Sequence, residues 1–199
     1  MIEFLPSANY DVDATASVVV TDADGDTVSG TVTLTNNPVN DTPIATNLDQ
    51  TLTYTEGDSS VAIDDIVVSE VDTIIASLDD GNPETVTVTV TLSDATTGAL
   101  TTTEGGSFDS DTGIWTITST SMSELSTALA DMAFVPTTNN DLDITAAVVV
   151  EDYDGESVSG TLTINVIAVN DAPSATNLTQ SLSFTEDDAS MDIDDIVVT

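Results

Sequence analysis

The sequence predicts an all-β protein, built of antiparallel β-sandwich repeats with one short helix in each repeat. Three observations lead there. Val, Ile and Thr, which favour strands, dominate the composition. Short segments of alternating polarity are separated by turn signals, the pattern of a sandwich. The chain also repeats itself at an offset of 130 residues, a period that suits a whole domain and not a solenoid unit of ~20–50 residues.

The repeat aligns residues 1–69 with 131–199 without a gap, and 38 of those 69 positions are identical. Val18-Val-Val-Thr-Asp-Ala-Asp-Gly-Asp26 matches Val148-Val-Val-Glu-Asp-Tyr-Asp-Gly-Glu156. Val39-Asn-Asp-Thr-Pro43 matches Val169-Asn-Asp-Ala-Pro173, and Ile63-Asp-Asp-Ile-Val-Val68 matches Ile193-Asp-Asp-Ile-Val-Val198. Boundaries placed at the two Asn-Asp-x-Pro segments make residues 44–173 one complete repeat. Residues 1–43 are then the C-terminal part of a preceding repeat, and 174–199 the N-terminal part of the following one. Neither flank can bury a full core alone, so each is a truncated domain or a set of strands completed by another chain.

Within the complete repeat, Asn47 to Thr55 alternates through Leu48, Leu52 and Tyr54 and reads as a strand. Val61 to Val68 is a second extended segment. Glu84 to Leu92 is the clearest strand, with Val86, Val88, Val90 and Leu92 inward and Thr outward. Ala99 to Thr103 and Ile114 to Thr120 are expected to pair, with Trp115 as a core anchor. Met122 to Asp131 reads as a helix: Ser121 and Glu124 form a capping box, and Leu125, Ala128, Leu129 and Met132 follow helical spacing. Ala133 to Pro136 is a short strand. Asp143 to Val150 and Ser157 to Val166 form a terminal hairpin around Asp154-Gly155.

Charge sets the next bounds. The 199 residues carry 36 Asp and Glu and no Lys, Arg or His, a formal charge of −36; there is no Cys either. A chain without cationic side chains cannot neutralise nucleic-acid phosphates and has no imidazole or thiol for catalysis. No salt bridge can form beyond the N-terminal amine. Such charge alone would suggest disorder, but 40% hydrophobic residues supply core material. No apolar run approaches the ~18 residues of a membrane span. Residues 1–6 lack a basic and an apolar region, so any export signal is expected outside this stretch.

The acids cluster. Asp152, Asp154 and Glu156 alternate on a tight turn, as do their copies Asp22, Asp24 and Asp26. Alternating carboxylates on a turn can offer several oxygens to one point, and Ca²⁺ takes six to eight oxygens at ~2.3–2.6 Å. The spacing resembles the start of an EF-hand loop, but the twelfth positions are Thr33 and Thr163 and strands follow, so an EF-hand is rejected. A hairpin turn alone accounts for Asp-Gly, though not for all three acids. Asn40 and Asp41, with Asn170 and Asp171, occupy the linkers; such residues also satisfy their own backbone in turns.

Topology links these groups. In a final hairpin the last strand runs toward the C-terminal end of its domain. The hairpin loop then lies at the N-terminal end, beside the preceding linker, which places Asp152, Asp154 and Glu156 near Asn40 and Asp41. Glu56, at the end of the 47–55 strand, is expected near Asp171, and Glu186 is its copy. Asp64-Asp65 reads as a solvated face or turn. Glu70-x-Asp72 belongs to the same acidic group as Glu56 and Asp64-Asp65, while Asp79-Asp80 and Asp109-x-Asp111 are weaker candidates, because loops collect acids.

In this order and repeated, these features resemble the cadherin-like and immunoglobulin-like extender repeats of giant bacterial RTX-type adhesins. The resemblance rests on the Val-Asn-Asp-Ala-Pro linker, the Asp-x-Asp-Gly hairpin, Thr185-Glu-Asp-Asp188, and the run from Gly113-Ile-Trp-Thr-Ile through the helix to Phe134-Val-Pro136. It implies secretion to the bacterial cell surface, long stalks of β-sandwiches stiffened by calcium, and linker ligands matching Asn40, Asp41, Asn170 and Asp171. The glycine-rich nonapeptide repeats of those large proteins are absent, and residues 105–111 only graze that pattern.

The leading expectation is therefore a calcium-stabilised spacer that touches neighbouring repeats of its own chain. A second is a self-assembling extracellular filament subunit, whose flanks exchange strands with other copies. A third is a glycan- or ice-binding module using outward rows such as Thr85, Thr87, Thr89 and Thr91, although solvent-facing Thr is ordinary β-propensity. Enzyme activity finds no support: acids that recur at a fixed offset suit structure, not a catalytic pair.

Overall fold

The computed structural model describes residues 1–10, 12–72 and 85–198. Its elements are β1 (Ala14–Thr21), β2 (Thr27–Leu34), β3 (Ile44–Thr46), β4 (Gln50–Thr55), β5 (Val61–Ala62), β6 (Val67–Ser69), β7 (Val86–Leu92), β8 (Gly98–Thr101), β9 (Ser107–Asp109), β10 (Ile114–Ser119), α1 (Met122–Ala130), β11 (Ala133–Pro136), β12 (Ile144–Asp152) and β13 (Ser157–Ile167). The protein is all-β with one helix among the described residues. Asp79 and Asp80, and the start of the expected strand at Glu84, lie outside the described residues.

A six-stranded sheet in the order β4-β13-β12-β7-β10-β9 faces a three-stranded sheet, β5-β11-β8, and β3 pairs with β6 in a small ribbon. The core lies between them. Val86, Val88, Val90 and Leu92 of β7 point inward, as do Ala146, Val148 and Val150 of β12 and Leu162 and Ile164 of β13. Trp115 and Phe134 are the largest fully buried side chains. Burying such residues supplies about 1.5–3 kcal/mol each before entropy is counted. The hydrophobic core runs from Leu48 to Ile164 and includes nothing from residues 1–43 or 174–198.

The helix obeys its spacing. Leu125, Ala128 and Leu129 are buried, and Met132 closes the last turn. Ser121 Oγ accepts the Glu124 amide at 3.3 Å. The reciprocal half of the capping box is altered: Glu124 Oε2 accepts from the Ser119 hydroxyl at 2.6 Å, and Ser119 Oγ accepts the Ser121 amide at 2.9 Å. A serine thus relays the cap.

Several expected elements are corrected. The 47–55 strand starts only at Gln50, because Asn47 takes φ +58° and turns the chain. Asn47 Nδ2 donates to Asp65 O, while Gln50 Nε2 donates to Asn47 O and Asp64 O and its Oε1 accepts the Asp64 amide. The same set recurs at Asn177, Gln180, Asp194 and Asp195. The 61–68 segment splits into β5 and β6, since Ile63 and Ile66 are both buried, which strict alternation does not allow. The expected pairing of 99–103 with 114–120 is not made: β8 pairs with β11, and β10 with β7 and β9. One pair in the large sheet is parallel, β4 beside β13.

The outward Thr row is present: Thr87, Thr89 and Thr91 alternate with buried Val and Leu. Thr87 and Thr118 hydroxyls lie 2.8 Å apart and satisfy each other across the strands, a common cross-strand pair.

The β1–β2 hairpin has the register of β12–β13 offset by 130: Val18↔Gly30 repeats Val148↔Gly160. The setting differs. Val148 and Val150 are 0% exposed, whereas Val18 and Val20 are 44% and 60% exposed.

Candidate functional site at the first linker

Both acidic hairpins are built alike. Gly155 and Gly25 take φ near +90°, which the tight turn requires. In one loop the Asp152 amide donates to Glu156 O at 3.0 Å and Gly155 N donates to Asp152 O at 3.3 Å; in the other Asp22, Gly25 and Asp26 repeat this. Asp152 Oδ1 accepts the Glu156 amide at 2.9 Å, and Asp22 Oδ1 accepts the amides of Asp24 and Asp26. Turn geometry therefore occupies one oxygen of each leading Asp.

The other oxygen of Asp152 faces the linker. Asn40 Nδ2 donates to Asp152 Oδ2 at 3.0 Å, and the Thr42 hydroxyl donates to Glu156 Oε2. The hairpin loop thus reaches the linker, as the topology requires. Asp154 sits in the same loop and is exposed.

Two further carboxylates join from a different direction. The Asp41 amide donates to Asp72 Oδ2 at 2.6 Å. Glu70 Oε1 accepts the amides of Val71 at 2.6 Å and Asp72 at 3.2 Å. These residues follow β6, which pairs with β3 through Ile44↔Ser69 immediately after the linker. The ribbon therefore holds Glu70 and Asp72 against the chain it has just left. The sequence groups them with Glu56 and Asp64-Asp65 and not with the linker. Their signal was an alternating acid pair directly after an apolar run, but only the β3–β6 pairing brings it to the linker.

Burial makes this cluster unusual. Asp72 is 0% exposed, Asp152 5% and Glu70 9%, in a chain with no Lys, Arg or His. Burial pushes the Glu70 carboxyl above its ordinary value; the charges of Asp72 and Asp152 add to this, against the lowering by its two amide donors. Asn40 Oδ1 and Glu70 Oε2 are buried without a hydrogen-bond partner. A buried oxygen left so is costly unless water or an ion pairs with it. Oxygen atoms from carboxylates and an amide form a hard donor set that fits Ca²⁺. As the side chains stand, no three acids among the described residues converge tightly enough to hold an ion.

The remaining expected residues lie elsewhere. At the opposite end, the Glu56 amide donates to Ile167 O at 2.9 Å, and Glu56 Oε2 accepts the Val169 amide at 2.8 Å. Glu56 is thereby beside the second linker, where Asn170 Nδ2 donates to Asp171 O at 3.2 Å. Asp22, Asp24 and Asp26 are exposed on the first hairpin, and Glu186 is exposed near the C-terminus. Asp64 and Asp65 serve the Asn47–Gln50 turn through their backbone. Asp109, the last residue of β9, opens the turn that follows: the Asp111 amide donates to its Oδ1 and lowers its carboxyl below the ordinary value.

No family model and no curated protein matches the chain. Solved structures are similar to it at low identity. Extracellular cadherin domains 1–4 of protocadherin gamma B7 align at 12% identity and a TM-score of 0.43, over 91% of this chain and 39% of that one. Cadherin domains 3–6 of protocadherin gamma B2 align at 14% identity and a TM-score of 0.44, over 88% and 37%. Domains 4–9 of the surface layer protein SbsC align at 15% identity and a TM-score of 0.34, over 83% and 20%. The chain spans well under half of each.

Proposed function

We propose that the chain is a structural, non-enzymatic extender segment of a long extracellular protein, a bacterial surface adhesin or fibre, whose linkers are stiffened by calcium. Residues 44–173 are one repeat on this reading, with parts of its neighbours on either side. One observation carries it: Glu70, Asp72 and Asp152 are buried around Asn40–Thr42 in a chain without cationic side chains, with buried oxygens of Asn40 and Glu70 left unpartnered. Like charges brought together out of water repel strongly. An ion from solution is the neutralising partner available at neutral pH.

In the proposed site Asp41, Glu70, Asp72, Asp152 and Glu156 supply carboxylates and Asn40 its Oδ1. The ion draws the side chains together and fixes the linker to the domain that follows it. Glu56, Asn170 and Asp171 form the corresponding half-site at the second linker, and Asp22, Asp24, Asp26 and Glu186 are the same motif one period away.

Thermal melting with calcium, magnesium and chelator tests this. Calcium at 100 times its Kd adds about 2.7 kcal/mol, seen as a clear rise in melting temperature. Magnesium gives little, because it demands near-ideal octahedral geometry and dehydrates reluctantly. A melting temperature identical in all three conditions overturns the proposal.

A second reading has its own observation. The apolar face of the β1–β2 hairpin is exposed although its copy is buried, which leaves a surface suited to a further strand set. In the filament reading that set comes from another copy. Concentration-dependent assembly in solution supports it, and a chain monomeric with and without calcium removes it.

A further inference from the structure

The parallel pair β4–β13 has a mechanical consequence. Six residue pairs run from Gln50↔Leu162 to Thr55↔Ile167. The first linker leads through β3 to the start of β4, and the second leaves the end of β13. A pull between the linkers therefore drags the two strands in opposite directions along their own length. The bonds of a parallel ladder run evenly spaced and slanted between the strands, so shear loads them as a set, whereas a pull at one end opens them in turn.

The ladder is reinforced at both ends. The Thr161 amide donates to Asp49 Oδ1 at 2.8 Å at the start. Beside it, Gly160 lets Leu48 approach so closely that a Cβ on the glycine would meet Leu48 Cβ at 2.5 Å. At the far end, Glu56 continues the ladder to Ile167 through its backbone and to Val169 through its carboxylate. On its other side β13 is seated on β12, and the Val166 amide donates to Asp143 Oδ1 at 2.8 Å. As an edge strand, β4 has β13 as its single neighbour in the sheet.

We propose that the β4–β13 ladder is a shear clamp, the element that sets the force at which this domain opens when pulled through its linkers, and that Glu56 is its latch. The clamp acts on the fold under load, with or without bound metal.

Single-molecule pulling of the full chain in chelator tests it. One form is held by its two termini. The other is held by Thr51→Cys and Thr161→Cys, exposed outward positions near the same end of the two strands; the chain has no other cysteine. Unfolding through the termini needs about twofold more force or higher at equal loading rate, because forced unfolding follows the barrier along the pulling direction. Glu56→Ala lowers the force through the termini and leaves that of the other geometry unchanged. Equal forces in the two geometries, or no effect of Glu56→Ala through the termini, overturn the clamp. Since chelator is present throughout, neither result bears on calcium binding.

Discussion

Asn40 and Asp152 are 112 residues apart in sequence and share a hydrogen bond of 3.0 Å between an amide and a nearly buried carboxylate. That bond ties the linker to the hairpin loop of the domain it precedes. It also places the Asp152 charge where it raises the Glu70 carboxyl.

Asp152→Asn separates the metal role from the packing role. The amide oxygen can still accept the Glu156 amide, but one charge leaves the cluster. Calcium titration should show affinity weakened by about tenfold or more, as for loss of a ligand charge. In chelator the variant should melt at the same or a higher temperature, because repulsion is relieved. Unchanged calcium affinity counts against the site.

The pH dependence without metal has a definite sign. Glu70 has its folded value raised above the ordinary 4.5. Its stabilisation is fully present below 4.5 and is lost as pH rises through the folded value. In chelator the melting temperature should therefore fall as pH rises above 4.5, and Glu70→Gln should flatten that slope. Asp94 and Asp109 act oppositely, but their lowered values place them below 3.8, outside this window. With saturating calcium the slope should reverse, since the metal requires the deprotonated acid.

Gly160 and Gly30 occupy equivalent positions in the two hairpins and should respond differently. A Cβ at Gly160 would lie 2.5 Å from Leu48 Cβ and 2.7 Å from its carbonyl oxygen, whereas Gly30 has nothing within 4 Å. Gly160→Ala should cost about 1–3 kcal/mol, the range for an overpacked site. Gly30→Ala should be neutral or slightly stabilising by relieving glycine's chain entropy. Denaturant unfolding of the two variants checks this.

Gln50 makes three hydrogen bonds that close the turn before β4. Gln50→Ala should cost about 1–2 kcal/mol, the sum of modest net bonds at an exposed site. Chemical denaturation with a single midpoint reads it directly.

Local patterns were legible where local physics decides. The β7 alternation, the α1 spacing and the β12–β13 hairpin all follow from periods that side chains enforce along one element. Asn47 was read as strand because its neighbours alternate; its left-handed φ is settled by the bonds of Gln50 to Asp64, fourteen residues away. The partner of β8 was misjudged because nearest-neighbour pairing is only a tendency, and α1 carries the chain over to the second sheet. The hairpin's approach to Asn40 followed from strand direction alone. Glu70 and Asp72 stand out in the sequence as an acidic pair, but their place at the first linker depends on the β3–β6 ribbon and not on any feature within residues 66–72.

The period of 130 residues can be cut at any phase, but the contacts around Asn40 choose one. Asn40, Asp41 and Thr42 lie before the boundary drawn at Pro43, yet their side chains and backbone are bonded to Asp152, Asp72 and Glu156 of the domain that follows. With the repeat proposed at 44–173, the sequence unit and the contacts of its buried acids are thus a few residues out of phase. Duplicating residues 44–173 alone would copy the fold and strand its buried acids without their cover, whereas a copy that begins upstream of Asn40 carries its own lid.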